Sequence, residues 1–154
     1  TIIDGNSNGS CIDIEHNDNL AIDGFTFQNG TGNDNGNIDG GGIFAIGSTN
    51  HITNCIIKQN KANGYGGGIY LFYSNTFLSN VTITNNHSYD RGGGILLLKG
   101  TLTFDTVNRC NIYENYAAVG TDFYKLGCPD TVYLAVDTFT VQNPDYYYAF
   151  SKDD

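Results

Sequence analysis

Sixteen acidic residues against seven basic ones make carboxylates the most abundant reactive groups in this 154-residue chain. Hydrolysis of a glycosidic bond needs two Asp/Glu about 5–9.5 Å apart, facing one substrate. In a chain built of repeats, such a pair would come from corresponding positions of neighbouring repeats. Asp39 has Tyr65 and Arg91 as its counterparts, Asp90 has Gly64, and Asp122 falls where the repeat decays. These carboxylates therefore read as solvated turn residues. His16, His51 and His87 lack H-x-x-x-H or H-x-x-E-H spacing and stand beside no nucleophile, so they read as surface residues. Cys11, Cys55, Cys110 and Cys128 form no C-x-x-C pair, which disfavours zinc.

Calcium is the one metal chemistry the sequence suggests. In the oxygen-rich segment 29–39, Asn35, Asn37 and Asp39 are followed by Gly40 and match the ligand spacing at the start of a calcium loop, with Asp34 beside them as a further candidate ligand. No Glu closes the loop, because its twelfth position is Ile46. An ordinary turn-rich insertion is the competing reading, and no other cofactor is expected. The runs Gly40-Gly41-Gly42, Gly66-Gly67-Gly68 and Gly92-Gly93-Gly94 lack the Lys-Ser/Thr of a phosphate-binding loop. Glycine at a turn of positive φ explains them.

Those glycine runs also reveal what must position any site. They recur every 26 residues, each followed by a short apolar run: Ile43–Ile46, then Ile69–Phe72, then Ile95–Leu98. A fixed period with glycine turns and two-residue alternation predicts strands wound into a solenoid. Phe25, Cys55, Val81 and Cys110 then fall in one column, and Phe27, Ile57, Ile83 and Ile112 in another. Both point inward. Cys55 and Cys110, two coils apart at roughly 4.8 Å per coil, lie too far apart for a disulfide. Gly30, Asn60, Asn86 and Asn115 share a further column and predict an internal asparagine ladder. The coils span residues 1–126; residues 127–154 form a second segment, with strands expected over 131–136 and 138–141.

If Ile43, Ile69 and Ile95 face inward, the neighbours face out. Phe44, Tyr70, Leu96 and Tyr124 form one outward column; Ile46, Phe72, Leu98 and Leu126 form the next. Such an apolar outer stripe predicts a contact surface, covered by another chain, by the chain's own tail or by a glycan. Tyr146, Tyr147 and Tyr148 in the tail add adhesive aromatic area. The abrupt start at Thr1 predicts an uncapped edge open to another chain. With no initiator Met, the chain reads as a processed product or a piece of something longer.

The Gly-Gly-Gly-Ile-Tyr-Leu coil, the Ile-Thr-Asn-Asn corner and the opening Thr-Ile-Ile-Asp-Gly-Asn resemble right-handed parallel β-helix repeat proteins. They are also similar to repeats of polymorphic outer-membrane proteins and bacterial surface adhesins. The resemblance implies an all-β, single-stranded right-handed parallel β-helix of four to five coils with a non-repetitive C-terminal part. That superfamily includes pectate lyases, polygalacturonases, adhesins and structural shafts, so it does not by itself choose a function. The Asn-Thr-Asp and Gly-His-Gly motifs of polygalacturonases are missing, as is a lyase-like arginine cluster.

The net charge of −9 excludes nucleic acid, which demands cationic surface, and disfavours anionic membranes. No apolar run is long enough for membrane insertion. The expected role is a non-enzymatic extracellular or cell-surface module, an adhesin shaft or a self-assembling filament. The alternatives are a fragment of a polysaccharide lyase or glycoside hydrolase, or a glycan-binding module using Tyr70, Phe72 and Tyr124 as platforms.

Overall fold

The computed structural model describes residues 1–32, 38–128, 130–139 and 149–152, all of them in short strands, turns and connections. The strands stack in parallel as a β-solenoid of about five turns. The first sheet contains Ile2–Asp4, Thr26–Gln28, Ile56–Lys58, Thr82–Thr84, Cys110–Tyr113 and Val136–Phe139. The second contains Ile12–Glu15, Ile43–Ile46, Ile69–Phe72, Ile95–Leu98, Phe123–Leu126 and Ala149–Lys152. The third, among the described residues, contains Leu20–Asp23, Thr49–Thr53, Asn75–Ser79 and Thr101–Phe104. Two-residue strands at Lys61–Ala62 and His87–Ser88 line one corner.

Register follows the predicted columns. Phe27, Ile57, Ile83 and Ile112 stand above one another, as do Ile43, Ile69, Ile95 and Phe123. Together with Leu71, Leu97, Ile52 and Leu78 they form a continuous, almost completely buried core. Cys55, Cys110 and Cys128 are buried free thiols and Cys11 is half-buried and free. Burial raises the thiol pKa of Cys11, Cys55 and Cys110.

The asparagine ladder is present, and each amide bonds in two directions. Asn86 Oδ1 accepts from Asn60 N and from Asn60 Nδ2, both at 3.0 Å. Asn86 Nδ2 donates to Asn115 Oδ1 at 3.0 Å and to the Ile57 carbonyl at 2.9 Å. The ladder ends are closed by side chains of other types. Asp122 Oδ1 accepts from Asn115 Nδ2 at 2.8 Å, and the Cys11 thiol donates to Asn60 Oδ1 at 3.4 Å. Asp122 is 0% exposed and is not the solvated turn residue expected. A second, outer ladder joins Asp23, Asn54 and Asn80. Asn54 and Asn80 have φ of 52° and 51°, a left-handed corner that asparagine tolerates.

The C-terminal part departs from expectation in one place. Residues 131–136 were expected as a strand, yet pairing begins only at Val136, and residues 130–135 cross the end of the core without joining the third sheet. Their Val132, Leu134 and Ala135 pack on the core from above.

His87 also differs from a plain surface residue. It is half-buried, with Tyr89 and Tyr116 ring centroids 4.8 and 4.9 Å away, while His16 and His51 are exposed. Burial, then the Lys61 charge, lowers its pKa below the ordinary 6.5. A depressed folded pKa means the unfolded chain takes up the proton first. His87 therefore contributes stability at neutral pH that is lost as pH falls below about 6.5. Urea midpoints at pH 7 and pH 5 should differ more in the native chain than in His87→Gln; an equal difference would remove His87 from the account.

Candidate functional site

The outer stripe is built by the second sheet and by the corner that precedes each of its strands. Phe44, Tyr70, Leu96 and Tyr124 are consecutive in register and form an apolar cluster separate from the core. Phe44 and Tyr70 stack with ring centroids 5.3 Å apart and planes 7° from parallel. This column was expected to be exposed; it is buried, with Tyr70 the most accessible member at 7%.

The cause lies in the glycine turns. Gly66 and Gly92 have φ of 64° and 65°, which folds the chain back over the outer face. A Cβ on Gly66 would lie 2.9 Å from Tyr70 Cα, and one on Gly92 would lie 2.8 Å from Leu96 Cβ. The residues just before these glycines therefore flank the stripe. Tyr65 and Val119 pack against it, and the Arg91 guanidinium sits 5.8 Å from the Tyr65 ring centre and 5.3 Å from that of Tyr124. Ile46, Phe72, Leu98 and Leu126, on the other flank, stay half-buried. Exposed Tyr73 extends this second column, with Lys99 Nζ 5.6 Å from its ring centre.

A polar clasp closes the first flank. Asp39 accepts a hydrogen bond from Tyr65 N at 2.7 Å, and its carboxylate occupies space left free by Gly64, where a Cβ would collide with Asp39 Oδ1. Asp39 is 7% exposed, again not a solvated turn residue. Burial raises its pKa above the usual 3.8, and the Asp90 charge raises it further. Asp90 pairs with Arg91 at 3.4 Å. Desolvation pushes the Tyr70 phenol up to about 12, with Asp39 adding to the effect. The Asp39 carboxylate and the Arg91 guanidinium thus fasten neighbouring coils, the first through the Tyr65 backbone and the second through the Tyr65 and Tyr124 rings.

Of the calcium candidates, Asp34, Asn35 and Asn37 lie outside the described residues. Asp39 bonds the Tyr65 backbone, and among the described residues no group of three His, Cys, Asp or Glu could hold a metal ion. Tyr146, Tyr147 and Tyr148 also lie outside the described residues. As glycan platforms, Tyr70 and Tyr124 present little open ring face because both are buried. Tyr65, Arg91 and Val119 escaped the sequence reading. Their signal was position, each standing directly before the glycine that opens a coil.

The winding, the inward columns and the glycine corners define a parallel β-helix. The sequence model described as "Right handed beta helix region" matches residues 1–132, and the chain belongs to that family. No curated protein and no solved structure matches it. No helix among the described residues is long and apolar enough to cross a membrane.

Proposed function

We propose that this chain is a non-enzymatic structural and interaction module of the cell surface or extracellular space, and that it self-associates. The observation that carries the reading is how its polar side chains are used. Asn60, Asn86 and Asn115 bond coil to coil in the interior, and outside Asp39 bonds the Tyr65 backbone while Arg91 lies over the Tyr65 and Tyr124 rings, again coil to coil. Groups of this kind in an enzyme would face an open cleft; here they stiffen a rod. The surface left for contact is the half-buried column Ile46, Phe72, Leu98 and Leu126 with Tyr73 beside it. Adhesin shafts and filaments both ask for such a rod, and the apolar column supplies its lateral contact.

Light scattering across a wide concentration range tests this. The mass should rise above the 16.7 kDa of one chain as concentration increases. Phe72→Glu should abolish the rise, because a carboxylate in an apolar contact is costly to desolvate, and its far-UV spectrum should remain that of the native chain. A monomer at every concentration would overturn self-association.

A further inference from the structure

The solenoid wall has a gap. Among the described residues the first and second sheets each have six strands and the third has four, although the chain passes through a fifth coil. The missing position lies inside the fold, beside Thr101–Phe104, because Val136–Phe139 and Ala149–Lys152 continue the other two walls past it. We infer that this open edge is a docking site for an extended polypeptide strand, which adds in parallel to Thr101–Phe104 and completes the third sheet.

The backbone is already arranged for it. Thr101 N and Asp105 N donate back to the Ser74 and Leu78 carbonyls. Successive residues of a strand direct their amides to alternate sides, so Leu102 and Phe104 aim theirs toward the gap. Among the described residues, no backbone hydrogen bond joins 101–104 to 130–135. In their place is a cleft of about 400 Å³ lined by Leu102, Phe104, Leu134, Ala135, Arg109 and Tyr133.

The shape and chemistry of the cleft select the occupant. A row of unpaired amides and carbonyls recognises another backbone, and apolar pockets at alternate positions recognise its side chains. The cleft lies between the Thr101–Phe104 edge and residues 131–135 of the same chain, a place that suits a single extended segment. Leu102 and Phe104 point inward and are buried, so the incoming strand should carry apolar residues two apart. Arg109 stands on the rim, its side chain 46% exposed beside Asp137 at 3.5 Å, and favours a strand that ends in an acidic residue. The chain's own residues 131–135 line the far side of the cleft without pairing to the edge: Ala135 O accepts from Cys110 N at 3.3 Å, and Val132 and Leu134 pack on the core. This inference is independent of self-association through the outer column.

The probe is a synthetic peptide that copies Asn75–Ser79, the strand already paired with the other edge of Thr101–Phe104, followed by one aspartate. Titrated into the full chain, it should bind saturably and slow hydrogen exchange at the Leu102 and Phe104 amides by ~tenfold or more. The same peptide methylated on the backbone nitrogens that face the edge should lose binding at least ~tenfold, and replacing its aspartate by lysine should weaken it. Absence of binding at millimolar peptide would overturn the proposal. So would binding that leaves those amides unprotected, or the same protection in the free chain, which would mean residues 130–135 close the gap themselves.

Discussion

Replacing Asn86 by alanine is expected to destabilise the protein by about 3–5 kcal/mol, more than any exposed substitution of similar size. Asn86 is 1% exposed, and its amide serves three coils. Removing it leaves Asn60 N and the Ile57 carbonyl without their partners at 3.0 and 2.9 Å, in a place water does not reach. Asn115 Oδ1 keeps only the bond from Asn86 N. The cost is the desolvation of stranded groups rather than the loss of average hydrogen bonds, which explains its size. Urea unfolding reads it as a lower midpoint at unchanged slope. Asn111→Ala, on the outward side of a neighbouring strand, should stay within about 0.5 kcal/mol. A loss below about 1 kcal/mol in Asn86→Ala would show that the ladder is ornamental.

Gly67→Ala should be comparably damaging, by about 3 kcal/mol or more, and for a different reason. Gly67 has no positive φ to protect. A Cβ there would lie 2.5 Å from the His87 carbonyl carbon and oxygen and 2.6 Å from Gly93 O, all backbone atoms of the following coil. Backbone cannot rotate away as a side chain can, so the coils must separate. A drop in melting temperature of about 6–12 °C is expected for a chain of this length. Gly24→Ala is the useful contrast. Its Cβ would meet nothing within 4 Å, and only the φ of 73° resists it, worth about 1–2 kcal/mol. Equal melting temperatures for the two variants would refute the crowding argument.

The fold was legible because its signals are local and repeated. Gly66-Gly67-Gly68 before Ile69 and Asn60 after Ile57 recur at the same spacing, so an inward column could be counted without knowing the winding. The outer face was legible in direction but not in exposure. Phe44, Tyr70, Leu96 and Tyr124 alternate correctly, yet their burial depends on Tyr65 and Arg91 folding across them. That is set by a left-handed glycine four residues earlier and has no periodic signature. Asp39 and Asp122 looked solvated because carboxylates in turns usually are; here one fills the space over Gly64 and the other terminates a ladder. Residues 130–135 have the composition of a strand. They lie across the core's end, where Val132 and Leu134 cover apolar surface that a wall strand would leave open.

One column carries a rule about length. Cys11, Gly42, Gly68, Gly94 and Asp122 occupy equivalent positions ahead of their strands. Gly42, Gly68 and Gly94 each lie against the amide of the next asparagine, with room for no side chain. Cys11 lies against Gly30 instead, and there the thiol fits. Glycine at this position thus calls for another amide rung, whereas a polar side chain closes the run. The coil between them is a module with interchangeable ends. Excising or duplicating one 26-residue unit, such as 61–86, should preserve every pairing across the joint, giving rods of graded length from a single sequence grammar.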